Sequence, residues 1–295
     1  MIRYKLTDEF GKTYSNTQWS VGITVRAEGK GNEPCSTGVL HHYKSAVDAL
    51  VHNNRHADFQ SPRLWEIEID EELGFDGKKG WCKSQTVLRE LEWTTEICLA
   101  AVKKNGRALE YVPIELRTPE ICLEAVKHYG LALQYVPKKL RSRELCLIAV
   151  KQNGYALEYV PTELRTTKIC LAAVKQNGYA LQFVPMELRT PEICLIAVKQ
   201  NGLAIEYVPK KLRSLEIYLA AIKQNGSVLE YVPTELRTPE ICLAAVNNDG
   251  YALRYVPKKL CTPEIYLAAV KQNGSALEFV PTEVRIVLGF GSVLV

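Results

Sequence analysis

The residues that most resemble a reactive site lie in the first third of the chain, where Cys35 precedes His41 and His42. A cysteine beside a histidine is the arrangement of a nucleophile and its general base. A third residue that would orient the histidine cannot be identified, and proximity along the chain does not supply the geometry of attack. We therefore expect a strand with one buried and one exposed histidine here, and no catalytic residue is assigned.

Metal ligation is the next chemistry to weigh. His41, His42, His52 and His56 are candidate ligands, but their spacings match no standard ligand pattern. Six of the nine cysteines recur at intervals of 24 residues or a multiple of it: Cys98, Cys122, Cys146, Cys170, Cys194 and Cys242. Packed helices lie about 8–10 Å apart, whereas a disulfide needs Cα atoms within about 7 Å and structural zinc needs four converging ligands. We predict free, buried thiols in a reducing cytoplasm, with no metal and no cofactor.

A series of arginines repeats at the same interval and is a candidate anion-binding ladder. Its members are Arg117, Arg141, Arg165, Arg189, Arg213 and Arg237, with Arg285 at the end. Together with regularly spaced lysines, they could follow the phosphates of a nucleic acid. Glutamate also recurs, three residues after most of these arginines, so ion pairs between successive layers are the alternative interpretation.

These intervals come from a 24-residue unit that is repeated eight times between Thr94 and Arg285. The copies begin at Thr94, Thr118, Ser142, Thr166, Thr190, Ser214, Thr238 and Thr262, and each first residue is position 1 of its repeat. A constant period of this length indicates an array of stacked units.

Each repeat has the signals of a helix, a turn and a second short segment. In Thr190–Arg213 the threonine is a predicted N-cap, proline follows at the first helical residue, and Gly202 at position 13 predicts a left-handed stop. Pro209 ends a short helix or 3₁₀ segment. One such unit cannot bury its apolar face alone, so we predict a mostly α protein with an α-solenoid over residues 94–285.

Comparison of the eight copies separates core positions from variable ones. Leucine at position 6, alanine at 8, glycine at 13, valine at 19 and proline at 20 are the same in all copies. We expect these residues, and the aromatic residues at position 18, to build the stack. Positions 7 and 14 vary and include large apolar side chains, which binding surfaces use. The predicted partner-binding residues, here called the central patch, are Leu131, Ile148, Tyr155, Tyr179, Ile196 and Leu203. The alternative is that position 14 is half-buried between layers.

Residues 1–93 contain no repeat and predict a small α+β domain of about five strands. Alternation predicts strands over 2–6, 23–27, 39–43 and 64–70, and residues 81–88 are expected to pair back after a turn. Ser45 is a predicted N-cap for a short helix over 46–53. Residues 8–11 and 29–38 are expected to form a turn and a polar loop.

Charge and the residues at both chain ends bear on nucleic-acid binding, secretion and membrane insertion. Residues 1–93 carry 12 Lys and Arg against 14 Asp and Glu, and residues 94–295 carry 25 against 19, so the array is only slightly basic. The first residues lack the apolar core of a signal peptide. The uncharged tail, residues 286–295, is too short to span a bilayer. We expect it to cap the last repeat or to mediate self-association, and the N-terminal domain to cap the other end.

Two stretches resemble known families. The repeat matches the signature E-I-C-L-x-A-V-x-x-N-G-x-A-L-x-Y-V-P-x-x-L-R, seen for example from Glu192 to Arg213. It resembles an uncharacterised repeat family of phages, large viruses and intracellular bacteria, which implies an interaction scaffold. Tyr4-Lys5, Arg63-Leu64-Trp65 and Asp76-Gly77-Lys78 are similar to a small phage domain of unknown function. Gly38-Val39-Leu40 followed by Ser45 also looks like a stretch of ADP-ribosyltransferases.

The sequence favours a cytoplasmic, non-enzymatic scaffold that binds another protein, with a host factor as partner if the resemblance to phage proteins holds. An enzyme in residues 1–93, with the repeats as a targeting module, is the first alternative. Nucleic-acid binding along the arginines is the second. The partner is not expected to be a membrane.

Overall fold

The chain divides into two compact units. The computed structural model describes residues 1–7, 17–27, 40–52 and 63–290. Contacts group Met1–Gln152 into one unit and Asn153–Val295 into the other. The first unit therefore holds the non-repetitive region, two repeats and the long helix of the third, and the second unit holds the rest of the array. The predicted turn over 8–11, the predicted loop over 29–38, Cys35 and His56 lie outside the described residues.

Seven described strands form two antiparallel sheets in the first unit. The strands are β1 (Ile2–Thr7), β2 (Thr24–Arg26), β3 (Leu40–His42), β4 (Arg63–Ile69), β5 (Glu72–Phe75), β6 (Gly80–Cys82) and β7 (Ser84–Leu91). One sheet has the order β1-β4-β7-β2 and the other has the order β3-β6-β5. The prediction of about five strands was too low. The predicted strand over 81–88 is two strands that meet at Lys83, and β5 does not alternate, because all four of its residues are half-buried.

The two sheets have their own core, and helix α1 (Ala46–His52) of this region packs against the first repeat. Trp19, Trp65 and Ile67 form one core cluster, while Leu64 and Ala49 belong to a second one beneath helix α1. The hydroxyl of Ser45 accepts the N–H of Asp48, as expected of an N-cap. Helix α1 packs against the first repeat helix, and Lys104 donates to the carboxylate of Asp48 at 2.6 Å. Helix α1 thus covers the end of the first repeat.

Eight ten-residue helices begin immediately after position 1 of each repeat. They are α2 (Thr95–Lys104), α3 (Pro119–His128), α4 (Arg143–Gln152), α5 (Thr167–Gln176), α6 (Pro191–Gln200), α7 (Leu215–Gln224), α8 (Pro239–Asn248) and α9 (Pro263–Gln272). In seven copies, the hydroxyl at position 1 accepts the N–H three residues later, for example from Ile193 to Thr190. This confirms the predicted N-caps in these seven copies, whereas the side chain of Thr166 makes no capping hydrogen bond.

A six-residue 3₁₀ segment follows every long helix. These segments are Gly106–Tyr111, Gly130–Tyr135, Gly154–Tyr159, Gly178–Phe183, Gly202–Tyr207, Gly226–Tyr231, Gly250–Tyr255 and Gly274–Phe279. After the proline comes a three-residue 3₁₀ turn: Ile114–Leu116, Lys138–Leu140, Thr162–Leu164, Met186–Leu188, Lys210–Leu212, Thr234–Leu236 and Lys258–Leu260. In the last repeat, helix α10 (Thr282–Val287) takes its place.

The glycine at position 13 has a different role from the predicted one. Among the described glycines, positive φ occurs only at Gly22, Gly77 and Gly289, so the predicted left-handed stop is wrong. The residue at position 12 is instead extended, with φ −150° and ψ 113° at Asn201. A Cβ on Gly202 would lie 2.4 Å from the carbonyl oxygen of Ala221 in the next repeat. Glycine is needed because the two backbones approach too closely for a side chain.

Within each unit, consecutive repeats pack helix on helix and 3₁₀ segment on 3₁₀ segment. Side-chain amides reinforce this contact. Gln272 Oε1 accepts the N–H of Gly250 at 2.6 Å, and its Nε2 donates to the carbonyl of Asn248 at 3.1 Å. None of the helices described has the length and apolar character that crossing a membrane requires.

Candidate functional site

The buried face of each repeat is made by positions 4, 5, 8, 9, 15, 16 and 19. In the fifth repeat, these residues are between 0% and 2% exposed: Ile193, Cys194, Ala197, Val198, Ala204, Ile205 and Val208. In the long helix, positions 4 and 5 and, one turn later, positions 8 and 9 therefore face the core. Positions 3 and 10 are exposed in every copy, whereas positions 6 and 7 are each half-buried in six of the eight copies.

The leucine at position 6 was expected in the stack, and that expectation is wrong. Leu219 is 42% exposed and Leu267 is 45% exposed, and this leucine is half-buried in the other copies. Since positions 5 and 8 point inward, the side chain at position 6 comes to lie at the margin of the helix, towards the neighbouring helix. The repeats therefore carry leucines at position 6 that are half-buried in six copies and exposed in two.

Two of the position-6 leucines line a groove. Between α8 and α9 lies a groove of about 450 Å³, whose apolar walls include Leu243 and Leu267. Glu264 and Lys271 lie at its polar edge, and Phe290, from the segment after α10, completes the lining. An aromatic side chain of this chain thus lines the same groove as two leucines of position 6.

The six residues of the central patch are all half-buried. Leu131 and Ile148 belong to the first unit, and the other four belong to the second. The ring of Tyr155 packs edge-on against Phe183 at 6.3 Å, and Tyr179 packs in the same way against Tyr207 at 6.2 Å. Position 14 therefore contacts the aromatic ring at position 18 of the next repeat. The position-18 residues are core-like only in part, because Tyr111 is buried whereas the others are half-buried.

The arginines at position 24 bind main-chain carbonyls. Arg189 donates through Nε to Val184 at 2.9 Å and through Nη2 to Gln182 at 3.0 Å, both in its own repeat. Its Nη1 donates to Tyr207, in the next repeat, at 2.7 Å. The same three donations are made in the copies with Arg117, Arg165 and Arg237.

The two bonds within the repeat are also made by Arg141 and Arg213. Arg141 donates to Val136 and Gln134, and Arg213 donates to Val208 and Glu206. Carbonyl oxygens therefore take the place that the ion-pair interpretation gave to the glutamates. These arginines are half-buried, and their guanidinium groups connect main-chain segments of the repeat by donating hydrogen bonds to carbonyls.

Comparison with known proteins agrees with this repeat architecture. A family model described as a domain of unknown function, DUF4116, matches residues 118–165, 168–213, 191–237, 214–261 and 238–285, which together make up more than half of the chain. The chain belongs to the DUF4116 family. No curated protein and no solved structure matches it. The matched ranges overlap because each covers about two of the 24-residue units.

The DUF4116 repeats also place tyrosines of position 18, which were expected in the stack, beside glutamates. The hydroxyl of Tyr255 donates to Glu230 at 3.1 Å. Burial, followed by the carboxylates of Glu206 and Glu230, raises the pKa of Tyr231. The available signal was the glutamate that precedes the position-18 ring in most copies. It was missed because the ring was interpreted as core.

The buried cysteines at position 5 confirm the prediction of free thiols. All six are buried and unpaired, and burial raises the pKa of most of them to about 11. A thiol with so high a pKa is a poor nucleophile at neutral pH. Cys261, which replaces the arginine of the seventh repeat, is only half-buried.

Outside the DUF4116 repeats, the two histidines of β3 sit beside charged groups. His42 is fully buried, and its Nε2 lies 3.8 Å from Glu72 Oε1. Lys5 donates to the carbonyl of His41 at 2.7 Å, and Gln85 donates to the same carbonyl at 3.0 Å. The expectation of one buried and one exposed histidine holds for His42, which is buried, and is wrong for His41, which is half-buried. In the described part of the chain, no three His, Cys, Asp or Glu side chains are grouped to hold a metal.

Proposed function

We propose that the DUF4116 array is a non-enzymatic scaffold that binds another protein through the outward side chains of its repeats. The observation that carries this proposal is the row of leucines at position 6. These leucines are the same in all eight copies, yet Leu219 and Leu267 are more than two-fifths exposed. Apolar side chains repeated on a surface are typical of protein-binding sites.

Two further features support the scaffold. Consecutive repeats within each unit pack in sequence order, as the units of an α-solenoid do, and we propose that architecture for the array. The central patch supplies half-buried aromatic and branched side chains next to the leucines, and such residues dominate the energetics of protein interfaces. In this proposal Leu131, Ile148, Tyr155, Tyr179, Ile196 and Leu203 are contact residues.

The arginine series gives less support to nucleic-acid binding. A phosphate-binding arginine needs free donors that face solvent. Arg189 and Arg237 each direct three donors to main-chain carbonyls instead. We therefore propose a protein partner, in the cytoplasm where the free thiols remain reduced. A host factor is such a partner if the protein acts in an infected cell.

Capture of partners from native cells, after crosslinking and with mass spectrometry as readout, tests this function. We would compare the natural chain with Leu219→Gln/Leu267→Gln, with Tyr155→Ala/Tyr179→Ala, and with the control Met186→Gln. Met186 is 61% exposed but lies in the short turn after the proline. A protein that the control retains and both double variants lose supports the scaffold. Equal recovery by all four chains contradicts it, provided that circular dichroism shows them equally folded.

A further inference from the structure

The second unit presents tyrosine hydroxyls beside carboxylates along consecutive repeats. We call the group formed by Glu206, Tyr207, Glu230, Tyr231 and Tyr255 the tyrosine–glutamate belt. Tyr255 donates its hydroxyl to Glu230, and Tyr231 lies close enough to Glu206 and Glu230 for both carboxylates to raise its pKa, after the larger effect of burial. The three tyrosines are half-buried and the two glutamates are exposed. The belt therefore combines half-buried tyrosines with exposed carboxylates over three consecutive repeats.

In the part of the chain that the structure describes, the two carboxylates of the belt form no ion pair. Within residues 63–290, no lysine, arginine or histidine nitrogen lies within 4.0 Å of a carboxylate oxygen of Glu206 or Glu230. Arg213, the arginine of the fifth repeat, is directed to the carbonyls of Val208 and Glu206 instead. Arg213 and Arg254 are electrostatic neighbours of Tyr231 and Tyr255, but neither forms an ion pair with the belt carboxylates, so these carboxylates can accept hydrogen bonds from an incoming cation.

At the end of the belt formed by Tyr255, and again in the first repeat, these repeat positions already hold a guanidinium group. In the seventh repeat, Arg254 at position 17 lies over the ring of Tyr255, with 5.0 Å between the guanidinium carbon and the ring centroid. In the first repeat, Arg107 at position 14 donates to Glu110 at 3.4 Å. Tyr111 and Tyr135 are also among its electrostatic neighbours. Positions 14, 17 and 18 therefore form a setting that accepts an arginine in two separate copies.

The fifth and sixth repeats have no arginine at these positions. Their position-14 residues are Leu203 and Ser227, and their position-17 residues are the glutamates of the belt. We propose that the tyrosine–glutamate belt binds the arginines of an extended, basic segment of a partner protein. The planar guanidinium stacks on a tyrosine ring and donates to a glutamate, a combination that lysine cannot reproduce as well.

The geometry of the array specifies the segment further. Packed helices repeat at about 8–10 Å, and an extended chain advances about 10 Å in three residues. Arginine at every third residue therefore matches one repeat per arginine. The chain has a net charge of +4, so the overall charge does not attract a polycation. Binding must come from local contacts, which makes a charge-neutralising variant informative.

Fluorescence anisotropy with a labelled peptide tests the proposal. The probe has arginine at every third residue between glycines and serines, and the comparison peptides carry lysine at the same places or the same arginines in one block. We expect the spaced arginine peptide to bind the full chain most tightly. Glu206→Gln/Glu230→Gln should weaken this binding by about tenfold or more, because each substitution removes a charge-assisted hydrogen bond.

The matched control is Glu187→Gln/Glu235→Gln, which makes the same change in charge at exposed position-22 glutamates. We expect the control to change the affinity by less than about twofold. Equal weakening by both double variants would reduce the effect to general attraction and overturn the proposal, as would failure of the peptide to bind the natural chain. Tyr231→Leu should weaken binding and erase the preference for arginine over lysine.

This inference rests on the proposed scaffold function, but the two can fail separately. If cell capture depends on Leu219 and Tyr155 while the arginine peptide does not bind, the scaffold stands and the basic partner is excluded. If the peptide binds through Glu206 and Glu230 while capture is unaffected by the outward leucines and the central patch, the belt recognises a basic ligand and the scaffold proposal falls.

Discussion

A Cβ atom on Gly250 would lie 2.5 Å from the carbonyl oxygen of Ala269 in the following repeat. The same carbonyl accepts the N–H of Asn273, which ends helix α9. Glycine and alanine therefore meet at the point where one repeat begins its 3₁₀ segment and the next ends its helix. Gly274, in the last repeat, has no successor, and nothing lies within 4 Å of its Cβ direction.

This pair gives the first prediction. Gly250→Ala should lower the free energy of unfolding by about 1–3 kcal/mol, because the added methyl group forces the two backbones apart. Gly274→Ala is the matched control and should change it by less than about 1 kcal/mol, in either direction. Urea unfolding followed by circular dichroism measures both. Equal destabilisation would mean that position 13 needs glycine for its own conformation.

The carbonyl-binding arginines give the second prediction. Arg189→Lys should destabilise the chain by about 1–3 kcal/mol, because one ammonium group cannot reach the three carbonyls that span two repeats. Arg285 makes its two bonds within the last repeat only, so Arg285→Lys should cost less. Hydrogen exchange measures where stability is lost. Loss of protection in the segment after Tyr207, as well as around Val184, identifies the bond between repeats. Loss around Val184 alone contradicts it.

The helices could be predicted from the sequence, but the contacts of several side chains could not. Thr190 and the apolar residues at positions 4, 5, 8 and 9 are local signals, so the N-caps and the ten-residue helices could be predicted. Gly202 could not be interpreted correctly, because positive φ and close backbone approach both demand glycine. The partners of Arg189 were also hidden, since its acceptors are main-chain carbonyls that carry no residue identity. Leu219 was misplaced because invariance among copies does not distinguish a core from a surface shared by all copies.

The third prediction concerns the arginine at position 24 and the residue at position 5 of the next repeat. We expect the effects of substituting these two residues to depend on each other. Arg189 is followed by Cys194 and makes three bonds, whereas Arg213 is followed by the larger Tyr218 and, among described residues, makes two. In the seventh repeat, Cys261 stands before Tyr266. We expect Cys261→Arg alone to be destabilising, because Tyr266 restricts the space of the guanidinium.

Adding Tyr266→Cys should restore the usual pair. The double variant should be more stable than the sum of the two single changes predicts, by about 0.5–3 kcal/mol. Urea unfolding of the natural chain, both single variants and the double variant measures this coupling. Strict additivity would show that the two side chains do not share space.

Thiol reactivity gives the fourth prediction. Burial raises the pKa of Cys98 and Cys170 to about 11, so at pH 8 only about one thiol in a thousand is ionised at each. Cys261 is half-buried and should react first among the described cysteines. Alkylation of the native chain, followed by peptide mass spectrometry, measures the order. Faster modification of Cys170 than of Cys261 would contradict the buried position of the cysteine row.

The last prediction concerns acid sensitivity of the sheet region. Burial lowers the pKa of His42 from its usual value of 6.5 to about 4, against the opposing effect of Glu72, and Arg3, Lys5 and His41 lower it further. Neither ring nitrogen of His42 has a hydrogen-bond partner within the described residues. Because the unfolded chain binds the proton more readily, the stability contributed by neutral His42 is complete above pH 6.5 and is lost progressively as the pH falls to about 4.

Tryptophan fluorescence isolates this effect, because all four tryptophans lie in residues 1–93. Urea midpoints from that signal should fall between pH 6.5 and 4, and His42→Gln should flatten the decline while lowering stability at neutral pH. His128→Gln is the control, because His128 is exposed on α3 and pairs with Glu124. It should leave the decline unchanged. His41, whose pKa burial also lowers to about 4, contributes to the same decline, so a residual slope in His42→Gln is expected. A slope identical to that of the natural chain would show that His42 is not held neutral in the folded protein.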